Sequence, residues 1–291
     1  MARAKLFVGA VVGLGYFVVS VILLGHQNIA SSVIAAREAM LRRSPCPNCV
    51  IMAGGSNLIY GLRSNIVEAG LELDTHRVVN VSLWNEGFSF NNYFQWLSQL
   101  KLKPALLIYS SVGFYKLNKG ALNDNAGLRL DGEPLFSIFS SERLITKVVR
   151  KHAVEFDNHG DLVNYDCSET WLNPVEFKPF ERRAAEQFIR NIHALGALYK
   201  GSSVLLRVPP AYISQAQHSD WIEYFTALRQ VFEQHKLADR VLNFAPQILV
   251  DKGKFCDNAF HVKKEVGELL SHELAHDIQS HAPYALFHAQ P

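Results

Sequence analysis

From residue 50 onward the chain alternates short apolar runs with longer stretches of helical periodicity, and this alternation limits its fold more than any other feature. The apolar runs lie at 50–53, 77–83, 105–110, 203–208 and 240–244. Helical patterns follow them at 57–70, 90–100, 179–199, 218–235 and 263–279. Each run is too short to be a helix and is apolar on both of its alternating faces, as in a strand covered from both sides. Each helical stretch is long enough to carry the chain back to the start of a neighbouring strand. The pattern therefore predicts an α/β chain with a five-stranded, doubly wound parallel sheet. Between 113 and 178 it breaks into a polar region bearing Asn, Asp and Gly, with one helical stretch at 142–152. That region reads as an insertion serving as a lid.

In a flavodoxin-like arrangement of such a sheet, sites form at the carboxyl ends of the strands. The first of these ends is Ala53-Gly54-Gly55-Ser56-Asn57. Two glycines permit a sharp path off the strand, and Ser56 falls at the start of the following helix, where free backbone N–H groups favour developing negative charge. A serine nucleophile beside its own oxyanion donor requires this layout. An ordinary N-cap serine has the same local pattern. The spacing also differs from a G-x-S-x-G elbow. The base has to come from elsewhere, and the loop after the fifth run, Phe255-Cys256-Asp257-Asn258-Ala259-Phe260-His261, offers a histidine and a carboxylate together.

These residues, with Asn80-x-x-x-x-Asn85-x-Gly87 between them, resemble the SGNH (GDSL-type) hydrolase and acyltransferase superfamily. The resemblance covers about residues 50 to 280 and is nearest to its membrane-anchored members that acylate cell-surface polysaccharide or teichoic acid. It implies Ser56 as nucleophile and first oxyanion donor, Gly87 as a second donor beside Asn85, and His261 as a base oriented by Asp257. The chain departs from the pattern in three places. Gly55 replaces the Asp of GDS, Asp257 and His261 are one residue further apart than in D-x-x-H, and Tyr109-Ser110-Ser111 stands where G-x-N-D is expected. Ser110, Ser111 or a backbone N–H then has to supply the third oxyanion donor. Arg207, at the end of the fourth run, is a candidate contact for an anionic substrate or half of a structural ion pair.

Residues 6–25 form an uncharged apolar segment of about the ~20 residues that cross a bilayer as a helix. Arg3 and Lys5 precede it, which predicts a cytoplasmic tip and an exterior or periplasmic domain. Arg37, Arg42 and Arg43 on the outer side run against that orientation, and a cleaved signal peptide is the competing reading. The division is a tip and anchor over 1–28, a helical stalk over 29–45 and one SGNH-like domain over 46–291. Gly9-x-x-x-Gly13 has the spacing of a helix–helix contact in lipid. A multi-spanning membrane O-acyltransferase is the partner this predicts, since an exterior acyltransferase needs its donor delivered across the bilayer.

A net charge of +2 and the absence of any basic, aromatic-interleaved run argue against nucleic acid. Cys46-Pro-Asn-Cys49 has redox spacing without the βαβ setting of a thioredoxin-like site, so a structural disulfide or buried thiols are expected. His272-Glu273-Leu274-Ala275-His276 matches H-E-x-x-H. The apolar stripe Val266, Leu270, Leu274 and Ile278 turns both histidines of that motif toward solvent. The function predicted is transfer or hydrolysis of O-acyl groups, chiefly acetyl, on a surface glycan, without a cofactor. A non-catalytic partner of a membrane acyltransferase comes second and a zinc peptidase third.

Overall fold

The computed structural model describes residues 36–43, 48–72, 77–83, 90–100, 102–118, 156–163, 172–244, 248–249 and 251–281. The apolar segment 6–25, the helical stretch at 142–152 and the candidates Asn85 and Gly87 lie outside these residues. Among the described residues no helix is long and apolar enough to cross a membrane.

Among the described residues, four parallel strands make the central sheet: β1 (Val50–Gly54), β2 (Val78–Asn80), β3 (Leu106–Ser110) and β4 (Ser203–Arg207), in the order β2-β1-β3-β4. Their alternating residues enter two separate cores. Ile51, Ala53, Leu107, Tyr109 and Leu206 face one layer of helices, while Val50, Met52, Leu106, Ile108 and Leu205 face the other. Sheets buried on both sides read as unbroken apolar runs for this reason. On the first face lie α4 (Phe90–Gln99), α5 (Arg182–Leu198) and α6 (His218–Gln234); on the second lie α2 (Ser56–Gly61), α3 (Ser64–Gly70) and α7 (Lys264–His281).

The fifth strand expected at 240–244 is not formed. A 3-10 turn runs through Ala238–Arg240, so only Val241 and Leu242 come alongside β4, as a single parallel bridge from Val241 to Leu206 with Leu242 N–H donating to Leu206 O at 2.9 Å. The chain then forms β6 (Ile248–Leu249), which pairs in parallel with β5 (Ala211–Tyr212) in a separate two-stranded sheet. The helix expected over 57–70 is broken in two. Leu62 and Arg63 are extended, and the freed N–H groups find partners from distant segments: Arg63 N–H donates to Ser271 Oγ at 2.8 Å, and Ser64 N–H donates to the Asp161 carboxylate.

Asp161 belongs to the region expected to be a lid, yet the described part of that region is built into the domain. Asp161 also accepts from Ser64 Oγ at 2.8 Å and Asn80 Nδ2 at 3.4 Å. Asn80 N–H, at the end of β2, donates to His159 O at 2.8 Å. Burial pushes the Asp161 carboxyl above the usual range, against the bonds from Ser64 that favour its charge.

The helix over 36–43, α1, packs onto this same corner. Arg37 is fully buried, donates to Gly160 O and stacks on the Phe156 ring at 3.8 Å. Glu38 accepts from Trp96 Nε1 at 3.2 Å. Burial lowers Arg37 to about 10, with the Asp161 charge opposing. Its Nε and Nη2 have no hydrogen-bond partner among the described residues. Gly160 has a φ of +82°, and a Cβ there would lie 2.3 Å from both Arg37 Nη1 and Asn80 O, so the corner requires glycine. Removing Arg37 takes away the buried donor to Gly160 O and a cation that the Asp161 and Asp157 charges favour. Arg37→Ala is expected to destabilise the domain by about 3 kcal/mol, read as a lower urea midpoint at unchanged m. A midpoint equal to wild type would mean that α1 is only loosely associated.

Candidate active site

The last residues of β1 and β3 lie side by side, with Gly54 paired to Ser110. Gly54 has a φ of +149°, and a Cβ on it would lie 1.8 Å from Ser110 O. This close approach carries the backbone off the strand, and Gly55 follows as the N-cap of α2 without any side-chain cap bond. Ser56 is therefore the first residue of α2, half-buried, with its amide among the helix N–H groups that have no intrahelical acceptor.

The second part of the site is a tight loop before α7. Phe255 and Val262 form an antiparallel bridge, Cys256 N–H donates to His261 O at 2.7 Å, and Lys263 N–H donates to Lys254 O at 2.9 Å. Tyr212 N–H, on β5, reaches across to Ala259 O at 2.8 Å. Cys256 is disulfide-bonded, and so, in a bond of its own, is Cys49 immediately before β1. A loop closed in this way accommodates the extra residue between Asp257 and His261 without separating them.

Ser56 Oγ is 2.9 Å from His261 Nε2, and His261 Nδ1 is 2.7 Å from Asp257 Oδ1. His261 is buried, whereas the Asp257 side chain is 46% exposed. The hydrogen bond from His261 holds the Asp257 carboxyl below the usual carboxylate range, with partial burial opposing it. A charged Asp257 accepts, so Nδ1 carries the proton and Nε2 presents its lone pair to Ser56. Three residues from two distant segments thus form a continuous chain from hydroxyl to imidazole to carboxylate.

The remaining candidates fall elsewhere. Ser110 is fully buried, and its hydroxyl accepts from Asn57 Nδ2 at 3.0 Å, so it braces the start of α2 and does not face a ligand. Ser111 is half-buried, and its Oγ accepts from Gly113 N–H at 3.0 Å, capping the turn after β3. Arg207 is not at the rim of the site. It is buried under α7, donates to Leu270 O at 3.2 Å and is lowered by burial to about 10, with Asp277 and Glu273 opposing. The side chain turns to the α7 face, which favours the structural alternative for Arg207 over a contact with an anionic substrate. His272 and His276 are both exposed on α7, and among the described residues no group of three or more His, Cys, Asp or Glu is placed to hold a metal ion.

No protein-family model matches this chain, and no curated protein matches it in sequence. Several solved structures resemble it in backbone, among them two carbohydrate esterases. One is a carbohydrate esterase family 2 enzyme with a carbohydrate-binding domain from Corynascus thermopiles (Myceliophthora fergusii), at a TM-score of 0.44 and 10% identity over 81% of this chain and 67% of that one. The other is a family two carbohydrate esterase from Clostridium thermocellum in complex with cellohexaose, at a TM-score of 0.42 and 12% identity over 81% of this chain and 65% of that one.

Two neighbours of His261 were not singled out from the sequence. Tyr60 stacks on the imidazole, with ring centroids 4.0 Å apart and planes inclined by 27°. It lies four residues after Ser56, hence on the same face of α2, and that spacing was a usable signal. Asn258 places Nδ2 3.0 Å from His261 Nε2. Nothing in a D-N-A-F-H string announces that contact, because it depends on how the loop closes.

Proposed function

We propose that this chain is a serine-dependent acyl hydrolase or acyltransferase of SGNH type, acting on O-acyl groups, chiefly acetyl, of a cell-surface glycan. The observation that carries the reading is the chain of contacts from Ser56 Oγ through His261 to Asp257 at 2.9 and 2.7 Å. Ser56 Oγ attacks the acyl carbonyl while its proton passes to Nε2, and Asp257 keeps Nδ1–H in place and stabilises the imidazolium. The amide at the head of α2 faces the developing oxyanion. Collapse of the tetrahedral intermediate returns the proton to the departing sugar oxygen and leaves an acyl ester on Ser56. A water or a second sugar hydroxyl then gives its proton to Nε2 and takes the acyl group, and Nε2 returns that proton to the departing Ser56 Oγ.

The glycan class comes from the motif resemblance around Ser56, Asn80 and His261. The same reading places the domain outside the cell, held by the 6–25 segment beside a multi-spanning membrane O-acyltransferase that delivers the donor. Replacing Gly9 and Gly13 with Leu is the variant for that partner and is expected to abolish co-purification with it while leaving esterase activity intact.

A serine-directed phosphonate tests the chemistry directly. It is expected to label the protein at Ser56 and nowhere else, and His261→Ala is expected to slow labelling by about 10³-fold or more without unfolding the domain. Labelling at another serine, or at an undiminished rate in His261→Ala, would overturn the assignment.

A further inference from the structure

His261 Nε2 has one lone pair in the plane of its ring and two donors aimed at it: Ser56 Oγ at 2.9 Å and Asn258 Nδ2 at 3.0 Å. The orientation of the Asn258 amide is set independently. Its Oδ1 accepts from Phe260 N–H at 2.8 Å, so the NH₂ group is the end that faces the imidazole. Asn258 is also exposed, while the His261 it covers is buried, which puts the amide between Nε2 and solvent. Among the described residues, the ring also meets Asp257 on Nδ1 and Tyr60 stacked against one face. Neither competes for Nε2.

We propose that Asn258 is a positioning residue that caps Nε2 from the solvent side and holds water back from the acyl-enzyme, favouring transfer to a bound sugar hydroxyl over hydrolysis. This rests on Ser56 being the acylated nucleophile. Before acylation the lone pair is shared between the Ser56 hydroxyl and the Asn258 amide. Once the leaving alcohol has departed with the proton, Ser56 Oγ is esterified and has no hydrogen to donate, so among the described residues Asn258 becomes the remaining donor to Nε2.

Any hydroxyl that is to be deprotonated has to displace that amide. A free water gains one hydrogen bond and breaks another of similar strength. An acceptor sugar held in place by its other contacts presents its hydroxyl at a far higher effective concentration and displaces the amide more readily. Because the amide is planar, displacing the NH₂ group also turns Oδ1 away from Phe260 N–H, and that second bond adds to the resistance an incoming hydroxyl has to overcome.

The test uses the full-length protein in detergent, with two readouts. In the first, ¹⁵N-histidine-labelled Ser56→Ala protein is compared with Ser56→Ala/Asn258→Ala at about pH 8.5, well above the ordinary histidine range. The Nε2 resonance of His261, assigned with His261→Gln, is expected to move downfield when the donor is removed. An unmoved resonance would overturn the contact itself.

In the second, protein with Ser56 intact is acetylated with 4-nitrophenyl acetate, quenched in acid at intervals, and the acetyl-Ser56 peptide is followed by mass. Its decay in water is expected to be about three- to tenfold faster in Asn258→Ala, the equivalent of one neutral hydrogen bond. Asn258→Ser keeps an acceptor for the Phe260 N–H but cannot reach Nε2, so it is expected to show the same acceleration with the loop preserved. Decay equal to or slower than wild type in both variants would sink the water-excluding role. A wild-type protein that never acquires acetyl on Ser56 would instead remove the nucleophile on which that role depends, while the resonance still reports whether Asn258 binds Nε2.

Discussion

Replacing Ser56 with alanine is expected to reduce turnover of 4-nitrophenyl acetate and of an O-acetylated glycan by about 10⁴- to 10⁶-fold while leaving the circular dichroism and the unfolding midpoint unchanged. The size of the effect follows from the order of contacts. Ser56 is the terminal member of the Asp257–His261–Ser56 chain, and among the described residues no other hydroxyl is recorded within hydrogen-bond distance of His261 Nε2. The fold is expected to be indifferent because Ser56 is half-buried and α2 takes no side-chain cap bond. Turnover that survives at more than about one part in a hundred of wild type would be too high for a lost nucleophile. Undiminished glycan acylation in cells carrying this variant would favour the alternative role, a non-catalytic partner of a membrane acyltransferase.

Gly54→Ala is expected to have the largest effect on stability, more than about 4 kcal/mol, read as loss of cooperative unfolding or of folded protein altogether. Its Cβ would meet Ser110 O at 1.8 Å and Ser110 C at 2.8 Å. Both are backbone atoms of a central strand, so no side-chain rotation relieves the contact. The φ of +149° adds strain for any residue with a Cβ. Separating β1 from β3 at this point would also break the bond from Gly55 N–H to Ser110 O, at 3.3 Å, and move Ser56 away from His261. Gly54→Ala protein with wild-type stability and turnover would show that the two strands do not approach in this way.

These two predictions draw on different kinds of information. The residues that meet at the candidate site were legible in the chain itself: glycines before Ser56 at the end of an apolar run, and Asp257 with His261 in one loop before the last helix. So was the layered α/β architecture, because strands covered on both faces leave unbroken apolar runs and the helices between them keep a 3.6-residue period.

Where local pattern competed with distant partners, the pattern gave the wrong answer. The helix at 57–70 breaks because Ser271 and Asp161, more than ninety residues away in sequence, accept the N–H groups of Arg63 and Ser64. The fifth strand shrinks to a bridge because a 3-10 turn takes up Arg240 before the chain reaches β4. For Arg207 the sequence left two readings open, and the side chain, alternating to the α7 face, takes the structural one.

The sequence by itself determined which residues were available to form the Ser56–His261–Asp257 chain and the layered architecture that supports them, since both depend on residue type and short-range periodicity. Only the tertiary structure decided that Asp257 and His261 meet despite their spacing, that Tyr60 covers the imidazole and that Asn258 shares its lone pair with Ser56. Those are distances between segments brought together by the closure of one loop and the end of one strand, and hydrogen bonding at 3 Å depends on where backbones pass and not on the order of letters along them.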